Sequence, residues 1–475
     1  MADKSKRELV VIGGGPGGYA AAFFAADKGM KVTLVDPEEN PGGVCLYRGC
    51  IPSKALLHLA KVVHEAFELE KSGVKFGAPK IDAKEVRAFK DRVVKQLTEG
   101  VGQLAKARKV EHIRGYARFQ TSNNIAIKAV DGSSREVEFE HAILATGSEP
   151  IHLPVFDWKS KRIVDSTGAL DVAGPPRNML VVGGGYIGLE LGSVYSALGT
   201  EVTVVEMLPQ ILTGVDRDLV RPLKKRLDEL FAGIYTNTKV TESKVRKNGV
   251  HVTLEGAGAG DARKLYELVL VAAGRKPNTS GLGLENTKIE LNEDGFVKVD
   301  PQRRTSDPNI YAIGDVAGQP MLAHKASHEG RVAVDAIGGA KTVFEPRAIP
   351  AVVFTDPEVA WTGLTETEAK QQRIDVTVSR FPWAASGRAQ TLGGADGMTK
   401  LIVSKEDERV LGVGICGPGA GELIAEGTLA IEMDAVAEDL ALTIHAHPTL
   451  SETVMEAAEG FYGAATHYFR KSRNR

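Results

Sequence analysis

Two cysteines five positions apart carry the clearest chemical signal in the chain. Cys45 and Cys50 lie in the stretch GGVCLYRGCIPSK, and only three cysteines occur among 475 residues. In a regular helix, residues i and i+5 have Cα atoms about 8 to 9 Å apart, whereas a disulfide requires about 4.4 to 6.8 Å. A bond between the two therefore needs a distorted turn, which Gly49 and Pro52 permit. Strained, accessible disulfides are readily reduced, so the spacing is compatible with a redox-active pair.

Two other interpretations stay open for the cysteine pair taken alone. Free cysteine is most often a buried residue of the core, and the distant Cys416 is predicted to be one. The pair could also be half of a metal site, but no second Cys or His pair follows at ligand spacing, and no metal is expected. The choice between these interpretations depends on the surrounding motifs.

Composition and charge narrow the classes of function. The length predicts about three domains, and the net charge of −2 with no long basic run argues against nucleic acid or a membrane surface as partner. No apolar run is long enough to span a bilayer. Lys4, Lys6 and Arg7 precede an apolar run that glycines interrupt, which is unlike a signal peptide. Three cysteines do not form a secreted disulfide framework, so we expect a reducing, cytoplasmic location.

A glycine-rich loop near the start has the pattern of a nucleotide-binding turn. Gly13, Gly15 and Gly18 follow a short apolar strand and precede an alanine-rich, helix-prone stretch. Glycine is needed where the chain turns, where backbone approaches a diphosphate and where the helix packs on the strand. The next strand ends at Asp36, which can accept hydrogen bonds from a ribose. Together these features favour a dinucleotide site over a plain glycine turn.

The same pattern returns with a constant offset of 170 residues, from Gly13 to Gly183 and from Asp36 to Glu206. The second loop, GGGYIGLE, includes Gly185 and Gly188, and two such copies in register predict two dinucleotide sites. A flavin nucleotide and a nicotinamide nucleotide are the usual occupants of two such sites. The repeated motif alone is also compatible with a non-catalytic sensor that binds two similar nucleotides. Glu206 would accept from a free 2′-hydroxyl and repel a 2′-phosphate, so NAD is preferred over NADP.

Three further apolar strands end in residues suited to nucleotide contact. The first delivers Thr146 and Gly147 to a turn, the second, predicted over residues 265–273, leads into Gly274 and Arg275, and the third ends at Asp315. An acid at the end of a strand suits a sugar or ribityl hydroxyl. Without the two glycine loops, a solvated aspartate would be the preferred interpretation.

The C-terminal part carries one acid–base candidate. In IHAHPTLSE, His447 precedes a proline and Glu452 follows five residues later, so a turn could place the carboxylate against the imidazole. A lone His-Pro is usually a surface turn, but a dithiol enzyme needs a base to remove a thiol proton. After about residue 348, alternating strands with Trp361 and Trp383 indicate a separate third domain.

These motifs together resemble the pyridine nucleotide-disulfide oxidoreductase family over essentially the whole chain. The resemblance implies an α/β fold with two Rossmann-like dinucleotide-binding domains and a C-terminal α+β dimerisation domain. The implied boundaries are 1–150 for the FAD-binding domain, 151–275 for the NAD-binding domain, 276–347 for a central segment completing the FAD site and 348–475 for the dimerisation domain.

The resemblance also implies roles for individual residues. Cys50 would face the flavin as the charge-transfer thiol, and Cys45 would be the interchange thiol that meets substrate. The implied FAD contacts are Gly13, Gly15, Gly18, Asp36, Lys54, Thr146, Gly147 and Asp315, and the implied NAD contacts are Gly183, Gly185, Tyr186, Gly188, Glu206, Gly274 and Arg275. Lys54 and Glu190 match the family's ion pair near the flavin N5. His447 and Glu452 match its acid–base pair, which the other subunit of a homodimer supplies.

The activity that the resemblance implies is oxidation of dihydrolipoamide on lipoyl-bearing carrier proteins, with reduction of NAD⁺. Those carriers would belong to 2-oxo acid dehydrogenase complexes or the glycine cleavage system. The alternatives are another disulfide reductase of the family or a non-catalytic flavin and NAD sensor. Glu206 argues against the NADP pocket of a glutathione reductase, and HYFRKSRNR lacks the C-terminal cysteine pair of mercuric and larger thioredoxin reductases. Tyr47-Arg48 departs from the Asn-Val of many relatives, which bears on substrate affinity and redox potential.

Overall fold

The computed structural model describes residues 7–256 and 263–469. Lys4 and Lys6, and the outer ends of the predicted first and last domains, lie outside these ranges, as do residues 257–262 within the predicted second domain. Among the described residues, no helix has the length and apolar character needed to cross a bilayer.

The first part of the chain alternates strands and helices. Its elements are β1 (Arg7–Ile12), α1 (Pro16–Asp27), β2 (Val32–Asp36), α2 (Gly43–Arg48), α3 (Cys50–Glu68), α4 (Ala83–Ala107), β3 (Glu111–Thr121), β4 (Asn124–Ala129), β5 (Ser134–Leu144) and β6 (Ser148–Pro150), with a 3-10 turn at Leu69–Ser72.

The middle of the chain repeats this alternation. Its elements are β7 (Ile163–Val164), α5 (Ser166–Ala169), β8 (Asn178–Val182), α6 (Tyr186–Ala197), β9 (Glu201–Val205), α7 (Arg217–Leu230), β10 (Gly233–Tyr235), β11 (Thr238–Arg246), β12 (Gly249–Gly256), β13 (Arg263–Tyr266), β14 (Leu268–Val271), β15 (Arg275–Pro277), β16 (Ile310–Ala312) and α8 (Ala323–Ile337), with 3-10 turns at Leu284–Asn286 and Gly314–Ala317.

The last part has its own strands and helices. They are β17 (Ala351–Val353), β18 (Val359–Gly363), α9 (Glu366–Gln372), β19 (Val376–Pro382), α10 (Gly387–Thr391), β20 (Met398–Ser404), β21 (Val410–Cys416), α11 (Ala420–Glu432), α12 (Ala437–Leu442) and α13 (Glu452–Phe461), with a 3-10 turn at Trp383–Ala385.

The first sheet brings the predicted nucleotide motifs to one edge. Its parallel strands lie in the order β3–β2–β1–β5–β16, and β4 pairs antiparallel with β3 and β5 where those strands extend beyond the parallel part. Ile12 pairs with both Val35 and Leu144. The residues that follow β1, β2 and β5 therefore meet at the carboxyl edge, where open α/β sheets bind ligands.

The second sheet has the same design. Its parallel strands run β10–β9–β8–β14–β7, and β11, β12 and β13 form an antiparallel three-stranded sheet beside it. Val182 pairs with Val205 and Val271, which is the register of the first sheet. The repeat predicted from the glycine loops is thus confirmed in the topology, and the α/β class with two Rossmann-like units is confirmed with it.

The C-terminal unit is an antiparallel sheet in the order β17–β18–β21–β20–β19, with α11 and α13 packed against it. Its core includes fully buried Trp383, Leu401 and Ile415. This arrangement agrees with the predicted third, α+β unit. Cys416 is also buried, in the core shared with the second unit, which confirms its predicted packing role.

One predicted strand differs from the structure. The apolar stretch 265–273 is divided between β13 and β14 instead of forming one strand. The Glu267 amide between them donates to the Asn178 side chain at 2.9 Å, while β13 pairs antiparallel with β12 and β14 pairs parallel with β8. The two halves thus belong to different sheets, a tertiary property that apolar periodicity does not encode.

Candidate active site

A cavity of about 870 Å³ lies at the carboxyl edge of the first sheet and reaches α6 of the second unit. The predicted site residues that line it are Gly13, Gly15, Asp36, Cys45, Cys50, Lys54, Thr146, Gly147, Tyr186, Glu190, Arg275 and Asp315. The predicted residues that do not line it are Gly18, Gly183, Gly185, Gly188, Glu206, Gly274, His447 and Glu452. The structure therefore gathers the cysteines with the first glycine loop.

The first glycine loop forms a backbone cradle. Gly13 has φ +103°, and a Cβ there would lie 2.3 Å from the carbonyl oxygen of Ala145. A Cβ on Gly18 would lie 1.8 Å from the Gly13 carbonyl, so Gly18 serves helix packing. Gly15, at the N-cap of α1, faces open space instead. A helix N-terminus that opens onto a cavity suits a diphosphate.

Asp36 is anchored to the same loop by backbone hydrogen bonds. The Gly14 amide donates to Oδ2 at 2.6 Å, and the Glu38 amide donates to Oδ1 at 3.0 Å. Burial raises the pKa of Asp36, against the lowering effect of the Gly14 hydrogen bond. The carboxylate keeps lone pairs for further donors, as a ribose contact requires.

The second loop reproduces this cradle. The Gly184 amide donates to Glu206 Oε2 at 2.7 Å, and the Leu208 amide donates to Oε1 at 2.8 Å. A Cβ on Gly183 would lie 2.4 Å from the Ala272 carbonyl oxygen, and one on Gly188 would lie 2.2 Å from the Gly183 carbonyl, whereas Gly185 faces open space. The second carboxyl edge thus presents the same arrangement of loop, helix N-terminus and acid.

Helix α6 connects the two sites. It begins beside the second loop at Tyr186, yet Tyr186 and Glu190 both line the first cavity. Burial raises the pKa of Tyr186 to about 12, so the phenol stays neutral at ordinary pH. A group in the first cavity would therefore contact the helix whose N-terminus forms the second site.

Cys45 and Cys50 lie in two helices separated by an irregular residue. Helix α2 ends at Arg48, Gly49 has φ −143° and ψ −114°, and α3 begins with Cys50, so the expected distorted turn is present. Both thiols are free, and Cys50 is the more exposed of the two. A hydrogen bond from the Cys45 thiol lowers the pKa of Cys50 to about 7, against the effect of burial and with help from Lys54. The same hydrogen bond, together with burial, raises the pKa of Cys45.

Lys54 and Glu190 form an ion pair at the cavity wall. Lys54 Nζ donates to Glu190 Oε2 at 2.7 Å, and Glu190 is only 3% exposed. The other carboxylate oxygen accepts from the Phe354 amide at 3.0 Å. Lys54 Nζ also lies 4.7 Å from the centroid of the Phe354 ring. Segments from all three units therefore fix the position of this ammonium group near the thiols.

His447 and Glu452 meet as predicted, but away from the cavity. His447 Nδ1 lies 2.8 Å from Glu452 Oε1, and the Thr449 amide donates to Oε2 at 2.7 Å. Burial alone would raise the pKa of Glu452, but the hydrogen bonds from Thr449 and His447 lower it. The His447 side chain is 73% exposed. The oriented imidazole thus presents its other nitrogen outward.

Comparison with known proteins places the chain in a family. Residues 7–330 match the family model described as pyridine nucleotide-disulphide oxidoreductase, and residues 349–458 match the dimerisation domain of that family. The chain belongs to the pyridine nucleotide-disulphide oxidoreductase family.

Its relatives in this family are similar over their full length. The dihydrolipoyl dehydrogenases of Vibrio cholerae and Haemophilus influenzae are each 48% identical over 466 residues, covering 98% of this chain and 98% and 97% of the relatives. The crystal structure of LpdA from Mycobacterium tuberculosis is 28% identical, with a TM-score of 0.88 and coverage of 96% of this chain and 99% of that one. The flavoprotein disulfide reductase RclA from Escherichia coli is 27% identical, with a TM-score of 0.85 and coverage of 96% of this chain and 99% of that one.

Pyridine nucleotide-disulphide oxidoreductases use FAD and NAD(H). The first cavity fits the larger cofactor, since it combines the open helix N-terminus at Gly15, the anchored carboxylate of Asp36 and the adjoining thiols. The dimerisation domain supports a homodimer. His447 belongs to that domain, so an exposed acid–base pair there is compatible with a site completed by a second subunit.

Sequence reasoning missed Ser148, which lines the cavity, and His445, which lies near His447 in sequence and does not line the cavity. Ser148 donates to Asp315 Oδ2 at 2.5 Å and accepts from Arg275 Nε at 2.7 Å, which holds Arg275 at the first cavity. Arg275 was expected at the second nucleotide, and its contacts favour the first. His445 is buried, with Nε2 2.7 Å from Glu426 Oε1 and Nδ1 2.8 Å from the Thr443 carbonyl. Its position two residues before His447 was the available signal.

Proposed function

We propose that the chain oxidises protein-bound dihydrolipoyl groups to lipoyl groups and reduces NAD⁺, the reaction for which its curated relatives are named. One observation carries this proposal. Two thiols with oppositely shifted pKa values lie at the wall of a nucleotide cavity, beside an ammonium group held by a buried carboxylate. A sensor that only binds nucleotide needs no such thiol pair.

The chemistry of the thiol pair follows from its pKa values. In the oxidised enzyme, one thiolate of the substrate attacks Cys45 Sγ of the Cys45–Cys50 disulfide, forming a mixed disulfide and releasing Cys50 as thiolate. The low pKa of Cys50 makes it the better leaving group, which directs attack to Cys45. The second substrate thiolate then attacks the substrate sulfur of the mixed disulfide, which closes the lipoyl ring and releases Cys45 as a thiolate. Cys45 takes up one of the two protons removed from the substrate and becomes a thiol. Two electrons have moved from the substrate dithiol to the protein dithiol.

His447 is the group we propose as acceptor of the substrate thiol protons. Glu452 orients its imidazole and stabilises the imidazolium that forms. Because the imidazole does not line the cavity of its own chain, we propose that His447 of the partner subunit acts at each Cys45. The site is therefore an isologous one, shared across the two-fold axis of the homodimer.

The remaining site residues hold the cofactors. We propose that Gly13, Gly15, Asp36 and Asp315 hold FAD, with Lys54, Thr146 and Gly147 beside it, and that Gly183, Gly185, Tyr186, Gly188, Glu206 and Gly274 hold NAD. We reassign Arg275 to the FAD cavity because of its bonds to Ser148. Bound in this cavity, a flavin would supply the two-electron chemistry that connects the protein dithiol with hydride transfer to NAD⁺.

The partners follow from the same proposal. The substrate would be a lipoyl group on a separate carrier protein of a 2-oxo acid dehydrogenase complex or of the glycine cleavage system. We place the reaction in the cytoplasm, because three cysteines do not form a secreted disulfide framework and cytosolic disulfides are usually catalytic. The domain boundaries at residues 150, 275 and 347 remain part of the proposal.

One comparison of substrates tests the function. The purified enzyme should reduce lipoamide with NADH far faster than it reduces glutathione disulfide with NADPH. Cys45→Ser should abolish lipoamide turnover, whereas a matched Cys416→Ser variant should retain it because Cys416 lies in the core away from the cavity. Faster turnover with glutathione disulfide and NADPH would assign the chain to a different member of the family.

A further inference from the structure

Arg48 is a cation at the cavity wall that the proposed chemistry does not use. It is the last residue of α2, between the two cysteines, and it forms an ion pair with Glu38. Both side chains line the cavity together with Gly14 and Asp36. No other acceptor in residues 7–256 and 263–469 takes a hydrogen bond from the guanidinium. Donors of Arg48 are therefore available to a ligand in the cavity.

The segment that holds Arg48 is fixed from two sides. The Tyr47 hydroxyl donates to the Asn40 carbonyl at 3.0 Å and accepts from the Asn40 amide at 3.1 Å, which ties α2 to the loop 37–42. Helix α4 packs tightly on that loop, since a Cβ on Gly102 would lie 1.9 Å from Asn40 Oδ1. Glu38 is part of the same loop. The guanidinium is thus positioned before any ligand arrives, which reduces the entropy lost on binding.

The charge of Arg48 acts on the nucleotide end of the cavity. Arg48 lowers the pKa of Asp36, whereas the cation that acts on Cys50 is Lys54. Asp36 and Glu38 place two carboxylates beside the helix N-terminus that suits a diphosphate. An anionic ligand next to these carboxylates needs a compensating cation. Arginine meets that need with a planar fork that matches phosphate oxygens.

We propose that Arg48, held by Glu38, binds the diphosphate of the dinucleotide in the first cavity. The inference rests on the flavin of the proposed function but not on its substrate. Relatives with Asn-Val at these positions would rely on the helix N-terminus for the same phosphates. Tyr47-Arg48 would then strengthen retention of the cofactor and leave the thiol chemistry largely unchanged.

The test measures release of FAD from the full-length holoenzyme by the rise of flavin fluorescence on dilution. Arg48→Val, which matches many relatives and should fold, is expected to weaken FAD retention at least about tenfold, as for loss of a charge-assisted hydrogen bond. Arg48→Lys should be intermediate, and Arg48→Gln should be as weak as Arg48→Val. Added KCl should speed release from the wild type more than from Arg48→Val, because it screens an ionic contact.

The control is Arg177→Val. Arg177 pairs with Glu267 at 2.7 Å outside the cavity, so this variant removes an arginine–carboxylate pair and should retain FAD as the wild type does. Wild-type retention in Arg48→Val would overturn the proposal. Wild-type retention in Arg48→Gln would indicate a neutral contact, such as a ribose hydroxyl, and would overturn it as well. Absence of lipoamide turnover in an enzyme that keeps FAD would instead contradict the proposed function alone.

Discussion

Glu190 accepts a hydrogen bond from Lys54 Nζ at 2.7 Å and, through its other oxygen, one from the Phe354 amide at 3.0 Å. One buried carboxylate thereby joins the helix that begins at Cys50, the helix that follows the second glycine loop and the residue that follows the first strand of the C-terminal unit. The charges of Lys54 and Glu190 both act on the ionisation of the Cys50 thiol. After the larger effects of the Cys45 thiol and of burial, Lys54 lowers the pKa of Cys50 and Glu190 raises it, so the pair contributes to the fraction of thiolate.

Substituting Lys54 and substituting Glu190 should shift the pKa of Cys50 in opposite directions. In Lys54→Met the pKa of Cys50 should rise, because a cation that stabilises the thiolate is lost, and less thiolate should be present at pH 7. In Glu190→Gln it should fall, because a repelling charge is lost. The measurement is the pH dependence of Cys50 alkylation by iodoacetamide in the reduced enzyme, located by mass spectrometry.

Lys61→Met is the matched control for this pair. Lys61 lies on the same helix as Lys54 and makes an exposed, 3.9 Å pair with Glu65, so its removal should leave the alkylation profile of Cys50 unchanged. A shift of the same sign in Lys54→Met and Glu190→Gln would contradict an electrostatic role for the pair.

Hydrogen bonding between the thiols gives a second prediction. The Cys45 thiol is the main cause of the low pKa of Cys50, near 7. Cys45→Ser retains a donor and should keep the alkylation midpoint close to 7, whereas Cys45→Ala should move it upward. Both variants should lose lipoamide turnover, because both lack the sulfur that the substrate attacks. In Cys45→Ser the long-wavelength thiolate-to-flavin band should persist, and in Cys50→Ser it should vanish. A band that survives in Cys50→Ser would reverse the two roles.

Much of the fold could be predicted because local sequence determines it. The two glycine loops share an offset of 170 residues, and helices α1 and α6 begin at Pro16 and Tyr186 with that same offset. A Gly in each loop leaves no room for a Cβ, and a Val-rich strand ends at an acid in each copy. Such local steric and periodic constraints can be recognised in the sequence without knowledge of the tertiary structure.

Other features of the site depend on contacts distant in sequence. The pair of Lys54 with Glu190 spans 136 residues and the bond from Phe354 spans 164, so only a family resemblance could suggest the first, and nothing suggested the second. Arg48 with Glu38 is close in sequence, but its orientation depends on how the loop 37–42 packs on α4. Long-range packing of this kind is not encoded in periodicity.

The choice of nicotinamide nucleotide gives a third prediction. Glu206 is fixed by the Gly184 and Leu208 amides, with lone pairs free for a ribose 2′-hydroxyl. Glu206→Arg with Met207→Arg should replace this acceptor by phosphate donors and shift the ratio of kcat/KM from NAD towards NADP by about tenfold or more. Glu201→Arg, at the exposed start of the same strand, should leave the ratio unchanged. An unaltered preference in the double variant would show that Glu206 does not contact the ribose.

A buried charge cluster between the second and third units gives a prediction about stability. Lys400 is 1% exposed, and its Nζ lies 2.7 Å from Asp216, 2.7 Å from Asp218 and 2.9 Å from Glu366. Lys400→Met would leave Asp216 without its ammonium partner, while Arg380 would still pair with Asp218 and Glu366. The buried uncompensated charge should lower the free energy of unfolding by about 3 to 5 kcal/mol. Lys225→Met removes an exposed pair and should lower the free energy of unfolding far less, because solvent screens such a pair. Equal thermal unfolding midpoints for both variants in calorimetry would contradict this account.

The last prediction concerns the subunit that supplies the base. His447 is 73% exposed, is oriented by Glu452 at 2.8 Å and does not line the cavity that holds Cys45 in the same chain. An imidazole acts as base only within hydrogen-bond reach of the thiol. The dimerisation domain that carries His447 can meet this requirement by presenting the residue to the other subunit's cavity.

Subunit complementation distinguishes this arrangement from one within a single chain. Cys45→Ser and His447→Gln homodimers should each be inactive. A mixed dimer of the two chains should contain one site with both wild-type residues and one with neither, and should therefore recover up to half of the wild-type activity per dimer. If each histidine served its own subunit, every site in the mixed dimer would lack one group and no activity would return. A mixed dimer of Cys45→Ser with Cys50→Ser is the control. It should stay inactive under either arrangement, because every site lacks one of the two thiols.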